Sequence, residues 1–252
     1  MAQAAFSKGF ESLGFSFHSP LPFPDSYAVP ENRLGEYMTE IERLKSEFCG
    51  KMHISNGVEL DHDSVGFNAS MLDYVIGSVH QLHFDERIYN VDYSAEMLLD
   101  CAKKEFDGSF LRLAEKYYRE LSSFVCAANA NIVGHFDLIE KFNENCAVFD
   151  DTSNEYRFLA LEYAGRICDE CPDAIVEVNT GAMFRCGRSS PYPSRFILEY
   201  LKMRNMRLTL TSDAHCAAAV GFAFDDVSEL LRSCGFKSAY VITEKGFEER
   251  PL

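Results

Sequence analysis

Six short runs of apolar, β-prone residues recur along the chain and are separated by longer segments of helical character. The runs predict strands at residues 13–17, 53–60, 73–79, 131–135, 174–179 and 206–212. The intervening segments predict helices at residues 1–9, 31–47, 93–124, 153–170, 193–204 and 224–233. Strands that alternate with helices form parallel sheets, and 252 residues suffice to curl such a sheet into a barrel. The sequence therefore predicts an α/β barrel in a single domain covering residues 1–252.

Five of the six predicted strands end in a side chain that can bind a metal ion. These residues are His18, Glu59, His80, His135, Asp213 and His215. A lone histidine at a strand end is more often a hydrogen-bonded structural residue, but the strand ends of a parallel barrel converge on one mouth. Their shared placement therefore favours a common metal site. Mixed imidazole and carboxylate ligands suit Zn, Mn or Fe, and such ions activate water for the hydrolysis of phosphate esters.

The remaining histidines and the cysteines have simpler interpretations. His53 begins a predicted strand and is interpreted as structural, whereas His62 and His83 are interpreted as solvated loop residues. Nine cysteines at scattered positions are typical of reduced thiols rather than of a disulfide framework. Cys168 and Cys171 form a CxxC pair, but no second pair completes a zinc site. We interpret them as two thiols at the end of a helix.

The loop at residues 179–194 carries two arginines, Arg185 and Arg188. Guanidinium groups bind phosphate in bidentate fashion and remain charged at any working pH. Surface arginines on a loop are the alternative interpretation, and the metal candidates nearby favour phosphate binding. The net charge of −15 argues against nucleic acid, so the expected partner is a small phosphorylated substrate. The sequence also predicts a cytoplasmic protein without membrane contact, because it has neither a long apolar run nor a secretory signal.

Five motifs, read together, resemble the PHP superfamily (polymerase and histidinol phosphatase), and within it the histidinol-phosphatases. They are GVELD, DYVIGSVH, GHFDLIEKFN, VEVNTGAMFR and LTSDAH, which follow one another over nearly the whole chain. The resemblance implies a distorted, TIM-like (β/α) barrel of seven strands that holds up to three divalent metal ions. It also implies hydrolysis of L-histidinol phosphate to L-histidinol and phosphate in histidine biosynthesis.

The resemblance further implies a role for each candidate residue. The implied ion sites are formed by Glu59 with His80 and His135, by Asp213, and by His18 with His215. Glu59 would bridge two of the ions. The implied catalytic residues are Asp213, His215 and Arg185, and the implied phosphate ligands are Arg185 and Arg188.

The beginning of the chain departs from the family pattern. PHP proteins begin with a strand that bears an HxH motif, whereas this chain has no histidine before His18 and opens with the predicted helix at residues 1–9. We therefore expect the first strand to be missing through a misplaced start or a truncation. This expectation predicts a gap in the barrel between the strand at residues 13–17 and the strand that ends at Ser212. Two alternative functions remain open: a PHP phosphoesterase for another small phosphate ester, and a catalytically impaired PHP module that binds metal.

Overall fold

The computed structural model describes residues 1–23, 27–64, 66–85 and 87–252. The strands of this part of the chain are β1 (Ser12–His18), β2 (His53–Asp61), β3 (Tyr74–Ser78), β4 (Gln81–Phe84), β5 (Arg87–Asn90), β6 (Ile132–Val133), β7 (Ile175–Asn179), β8 (Arg207–Thr211), β9 (Ser238–Thr243) and β10 (Gly246–Pro251). The α-helices are α1 (Ala2–Ser7), α2 (Leu34–Glu47), α3 (Ala95–Glu105), α4 (Phe110–Ala127), α5 (Asn143–Cys146), α6 (Asn154–Glu170), α7 (Gly181–Cys186), α8 (Arg195–Met203) and α9 (Phe224–Ser233). None of the described helices is long and apolar enough to cross a membrane.

Six of the strands form one parallel sheet in the order β1-β2-β3-β6-β7-β8. They are the six strands predicted from the sequence, so the predicted α/β fold with a parallel sheet is confirmed. The sheet curls into a half-barrel, and in the described sheet β1 and β8 are the two edges. The sequence predicted a gap between these same two strands, and they are not paired with each other.

The outer face of the sheet is covered by helices. Helix α4 begins after Ser109, whose Oγ accepts a hydrogen bond from the backbone N–H of Arg112. Its buried side chains Leu113, Tyr117 and Leu121 recur every four residues and therefore form one stripe. Together with residues of α3, α6, α8 and α9 they build the main hydrophobic core against the sheet.

The inner face of the sheet is apolar on the amino-terminal side of the strand ends. The side chains of this cluster are Tyr74, Ile76, Ile132 and Ile175. The hairpin of β9 and β10 packs against them through Tyr240, Ile242 and Phe247. The hydroxyl of Ser12, on the edge strand β1, donates to the main-chain oxygen of Ile242. The hairpin therefore covers the apolar part of the inner face and leaves the strand ends free for polar residues.

Several elements depart from the prediction. The hairpins β4–β5 and β9–β10 and the short helices α5 and α7 were not predicted. The predicted helix at residues 93–124 is two helices, because Asp107 and Gly108 adopt φ angles of 54° and 82° and turn the chain between them. The left-handed region is open to glycine and is tolerated by aspartate, so this pair can end α3 where the apolar pattern alone runs on.

Cys126 and Cys171 lie side by side, with Cα atoms 5.7 Å apart and their sulfur atoms in contact, and the prediction that the cysteines are reduced thiols stays a prediction. The other seven cysteines are free, including Cys168 of the CxxC pair. Cys126 lies near the end of α4 and Cys171 directly follows α6, and these helices pack side by side. The two residues are 45 positions apart, so their spacing in the sequence carries no sign of the contact.

Candidate metal centre

Four of the predicted ligands meet because their strands are neighbours in the sheet. His18 ends β1 directly opposite Glu59 of β2. His80 follows β3 by two residues, and His135 follows β6 by two residues. Since β1, β2, β3 and β6 are consecutive in the sheet and parallel, these side chains emerge along one edge.

Glu59 is at the centre of this group. Its Oε1 lies 3.0 Å from His135 Nε2 and 3.3 Å from His80 Nε2. Its Oε2 lies 3.4 Å from His18 Nδ1. The Nε2 atoms of His80 and His135 are 3.2 Å apart. One carboxylate therefore faces three imidazole rings at distances that allow shared ligation of an ion.

The protonation of the group reflects burial and close partners. Burial favours the neutral form of Glu59, but the imidazoles of His18, His135 and His80 outweigh it and hold the Glu59 pKa well below its usual range. Burial lowers the pKa of His80, yet the hydrogen bonds to Asp61 and Glu59 outweigh it and raise that pKa well above the usual range. The three imidazoles therefore surround a Glu59 carboxylate that stays ionised.

The arrangement fits a divalent cation. The ligand atoms of His18, Glu59 and His80 all lie within 4.8 Å of one another. His18 Nδ1, which faces Glu59, is buried and has no hydrogen-bond partner among the described residues. A buried polar atom without a partner is costly, and an ion bonded at about 2.0–2.2 Å to these ligands would supply one.

Asp213, His215 and Arg185 form a second group beside the first. Arg185 Nη2 donates to Asp213 Oδ2 at 2.7 Å, and Arg185 Nη1 lies 3.1 Å from His215 Nδ1. The rings of His215 and His18 are 6.3 Å apart, so the two groups adjoin. A Cβ at Gly181 would lie 2.9 Å from both Arg185 Nη1 and Asp213 Oδ2. The glycine therefore makes room for this contact.

Arg188 is not brought to the cluster. Its side chain is buried, and its Nη1 donates to the main-chain oxygen of Glu140 at 2.8 Å. The guanidinium also lies 4.5 Å from the ring centroid of Tyr192. Arg188 therefore binds the segment after β6 in this structure, whereas Arg185 faces the predicted ligands.

Sequence reasoning missed three buried polar residues that support the site. Asp61 Oδ2 accepts from His80 Nδ1 at 2.7 Å. Glu177 Oε2 accepts from the backbone N–H of His135 at 2.7 Å and from Asn179 Nδ2 at 3.1 Å. A signal for them was present, because strand side chains alternate between faces and Asp61 and Asn179 each lie two residues after a carboxylate in a strand.

The predicted ligands share a cavity of about 150 Å³. All six line it, together with Arg185 and the ion pair of Lys141 and Asp92, in which Nζ and Oδ2 are 3.0 Å apart. A neighbouring cavity of about 500 Å³ extends between the edge strands β1 and β8 and shares His18, Glu59, Asp213 and His215. The site is thus a polar pocket with an open side towards the sheet edges.

The fold and the site define a class of protein: parallel α/β half-barrels with histidine and carboxylate side chains gathered where the strands end. The chain belongs to the PHP domain family, which matches residues 1–181.

Proteins that are similar to this chain over nearly its whole length share one name, histidinol-phosphatase. The histidinol-phosphatase of Bacillus subtilis is 29% identical, with 89% of this chain and 89% of that protein covered. A Schizosaccharomyces pombe protein named "Probable histidinol-phosphatase" is 28% identical, with 97% of this chain and 83% of that protein covered. The crystal structure of histidinol phosphate phosphatase from Lactococcus lactis, complexed with Zn, L-histidinol and phosphate, has a TM-score of 0.64 at 21% identity and covers 98% of this chain and 90% of its own.

Proposed function

We propose that this chain is a metal-dependent phosphomonoesterase that hydrolyses L-histidinol phosphate to L-histidinol and phosphate in histidine biosynthesis. The observation that carries the proposal is the convergence of three imidazoles on Glu59 at 3.0–3.4 Å, in a pocket that also holds Arg185. The names of the relatives support the substrate, and the zinc, L-histidinol and phosphate in the Lactococcus lactis structure support the ligands.

We assign the ions to three groups of side chains, as the family pattern implies. Glu59 with His80 and His135 would hold one ion, His18 with His215 a second, and Asp213 a third. Zn, Mn and Fe suit these ligands. Bound ions lower the pKa of water to about 7 and polarise the phosphoryl oxygen, which is the chemistry that the reaction needs.

The residues around the ligands would orient them and bind the substrate. A carboxylate can only accept, so Asp61 keeps a proton of His80 on Nδ1, and the Nε2 atom that faces Glu59 would be the one to bind the ion in place of its proton. Arg185 is the residue that we assign to the phosphate, because it faces the shared cavity, whereas Arg188 is bound to Glu140. An ion on Asp213 would compete for this carboxylate and would leave the guanidinium of Arg185 free to donate hydrogen bonds to a phosphate group.

One observation favours a second candidate, an impaired module that binds metal without turnover. Asp213, an implied ligand, is occupied by Arg185 and lies at the open edge of the sheet after β8. Only the Glu59, His80 and His135 group is enclosed by neighbouring strands on both sides. A chain with one well-formed ion site would bind metal and hydrolyse poorly.

Phosphate release from a panel of phosphomonoesters distinguishes these functions. The metal-free chain is loaded with Zn, Mn or Fe and offered L-histidinol phosphate, a sugar phosphate, a nucleoside monophosphate and a phosphopeptide. The proposal expects release from L-histidinol phosphate well above the others. Equal release of phosphate from another ester would overturn the assignment of L-histidinol phosphate as the substrate. Bound metal without release from any ester would favour the impaired module. The cytoplasm is the proposed location, in agreement with seven free cysteines.

A further inference from the structure

A second group of metal-binding side chains lies outside the proposed active site. It consists of His62 and Asp63, in the turn after β2, and His83 of β4. His83 Nε2 is 2.7 Å from Asp63 Oδ2, and His62 Nε2 is 3.5 Å from Asp63 Oδ1. One ligand atom from each residue falls within 4.8 Å of the other two. Ligand atoms that each bind the same ion at about 2.0–2.2 Å lie at such distances from one another.

The backbone holds these residues together. The N–H of His62 donates to the carbonyl of Ser78 at 3.1 Å, which ties the turn after β2 to the end of β3. Strand β4 begins at Gln81, three residues after Ser78, and this short connection places His83 beside the turn. The backbone N–H of Asp63 donates to Asp61 Oδ1 at 3.0 Å. The turn and the strand are thus fixed with respect to each other.

Asp61 orients His62 as it orients His80. Its Oδ1 lies 3.1 Å from His62 Nδ1, and its Oδ2 lies 2.7 Å from His80 Nδ1. Asp61 is buried and can only accept, so both rings carry their proton on Nδ1 and present Nε2 on the far side. A carboxylate behind an imidazole is the usual support of a metal-binding histidine. The same carboxylate therefore prepares two histidines, one for each group.

The surroundings favour a cation with an open coordination position. The side chains of His62, Asp63 and His83 are 16%, 12% and 40% exposed, so a water molecule can reach the group. The Glu120 carboxylate is paired with Lys116 through Oε1, and its Oε2 atom is buried without a hydrogen-bond partner among the described residues. Two imidazoles and a carboxylate suit zinc, with water as the fourth ligand.

We propose that His62, Asp63 and His83 form an accessory divalent-cation site, best suited to zinc. The structure places His83 in strand β4 rather than in a loop, and solvated residues without an ion are the alternative to this proposal. It does not depend on the phosphatase function, because the accessory site shares no ligand with the Glu59 group.

Zinc titration of the metal-free chain against a chromophoric chelator tests the proposal. The titrations are made in the Glu59→Gln variant, which lacks the central ligand of the main site, and the accessory ion is counted as the zinc that a change at the accessory site weakens. His83→Gln and Asp63→Asn, each in the Glu59→Gln background, are expected to weaken the binding of one zinc ion at least about tenfold. His53→Gln is the matched control, since His53 is bonded to Ser55 at the start of β2.

Cobalt substitution gives an independent readout. In the Glu59→Gln variant, a contribution of tetrahedral Co(II) to the visible absorption is expected that disappears with His83→Gln but not with His53→Gln. Circular dichroism of each metal-free variant checks the fold, and Asp63→Asn serves if His83→Gln fails to fold. Zinc affinity and cobalt absorption that are the same in the His83→Gln, Asp63→Asn and His53→Gln variants would overturn the proposal.

Discussion

Arg185 and Arg188 lie three residues apart and have different surroundings. Arg185 contacts Asp213 and His215 at the shared cavity, whereas Arg188 is buried against Glu140 and Tyr192. Both arginines could be predicted as charged residues of one loop. The different directions of their side chains could not be predicted, because they depend on the turn of α7 and on Gly187, which adopts a left-handed conformation with φ of 68°.

Arg185→Lys is expected to lower kcat/KM for L-histidinol phosphate by at least about tenfold, because an ammonium group cannot form the bidentate hydrogen bonds of a guanidinium with phosphate. Arg188→Lys is the matched variant. It is expected to lower the free energy of unfolding by about 1–3 kcal/mol, through the lost hydrogen bond to Glu140, and to change kcat/KM less. Steady-state kinetics and chemical denaturation measure the two effects. Unchanged kinetics in Arg185→Lys would remove its assigned role.

Strands β1 and β2 each carry a glycine under the ring of Tyr74. A Cβ at Gly57 would lie 2.3 Å from Tyr74 Cζ, and a Cβ at Gly14 would lie 2.5 Å from Tyr74 Oη. The ring is buried and contacts Phe247 of the hairpin, so it has little freedom to move. The glycines thus let an aromatic ring lie across the inner face of two strands.

Gly57→Ala is expected to lower the free energy of unfolding by about 1–3 kcal/mol, because the methyl group overpacks the inner face. Gly35→Ala is the control, since a Cβ at that position of α2 meets nothing within 4 Å. Chemical denaturation of the two variants measures their free energies of unfolding. Equal stability of both variants would show that Tyr74 moves aside without cost.

The segment after β6 contains a buried acid, Glu140, that is bonded to Tyr156 and Ser194. Burial, with the nearby Asp137 carboxylate, raises the pKa of Glu140 to about 8. Above its ordinary pKa of 4.5 the unfolded chain has lost this proton, while the folded chain keeps it up to about pH 8. The contribution of Glu140 to stability therefore falls as the pH rises from about 4.5 to about 8.

Glu140→Gln is expected to become progressively more stable relative to the parent chain across this window, with a slope of up to about 1.4 kcal/mol per pH unit. The difference between parent and variant is measured by denaturation at several pH values, so that titrations common to both cancel. Glu229→Gln, an exposed change on α9, is the control. A difference that does not vary with pH would contradict the raised pKa.

The elements that could be predicted from the sequence are those whose signal is local. Apolar runs predicted β1, β2, β3, β6, β7 and β8, and the candidate ligands at the ends of five of these runs predicted where the ligands gather. The β9–β10 hairpin was missed because its inward side chains, such as Ile242, become informative only when the cluster that they cover is known. The contact between Cys126 and Cys171 likewise depends on the packing of two helices.

At the scale of the whole molecule, the half-barrel has two edge strands, β1 and β8, that border a cavity of about 500 Å³. Edge strands have backbone groups without a strand partner on one side. Hydrogen exchange is therefore expected to be faster in peptides covering residues 12–18 and 207–211 than in peptides covering residues 53–61 and 74–78. Mass spectrometry after deuterium exposure measures this difference. Uniform protection across the six strands would show that the edges are covered in solution.

The central claim is that the side chains around Glu59 make this chain a metal-dependent phosphatase for L-histidinol phosphate. Release of inorganic phosphate from L-histidinol phosphate, by the zinc-loaded chain and by its Glu59→Gln variant, tests the claim most directly. The account predicts metal-dependent turnover that the variant loses by at least about 100-fold, because Glu59 faces all three imidazoles. Turnover that survives chelation of the metal, or that is the same in the Glu59→Gln variant, would contradict it.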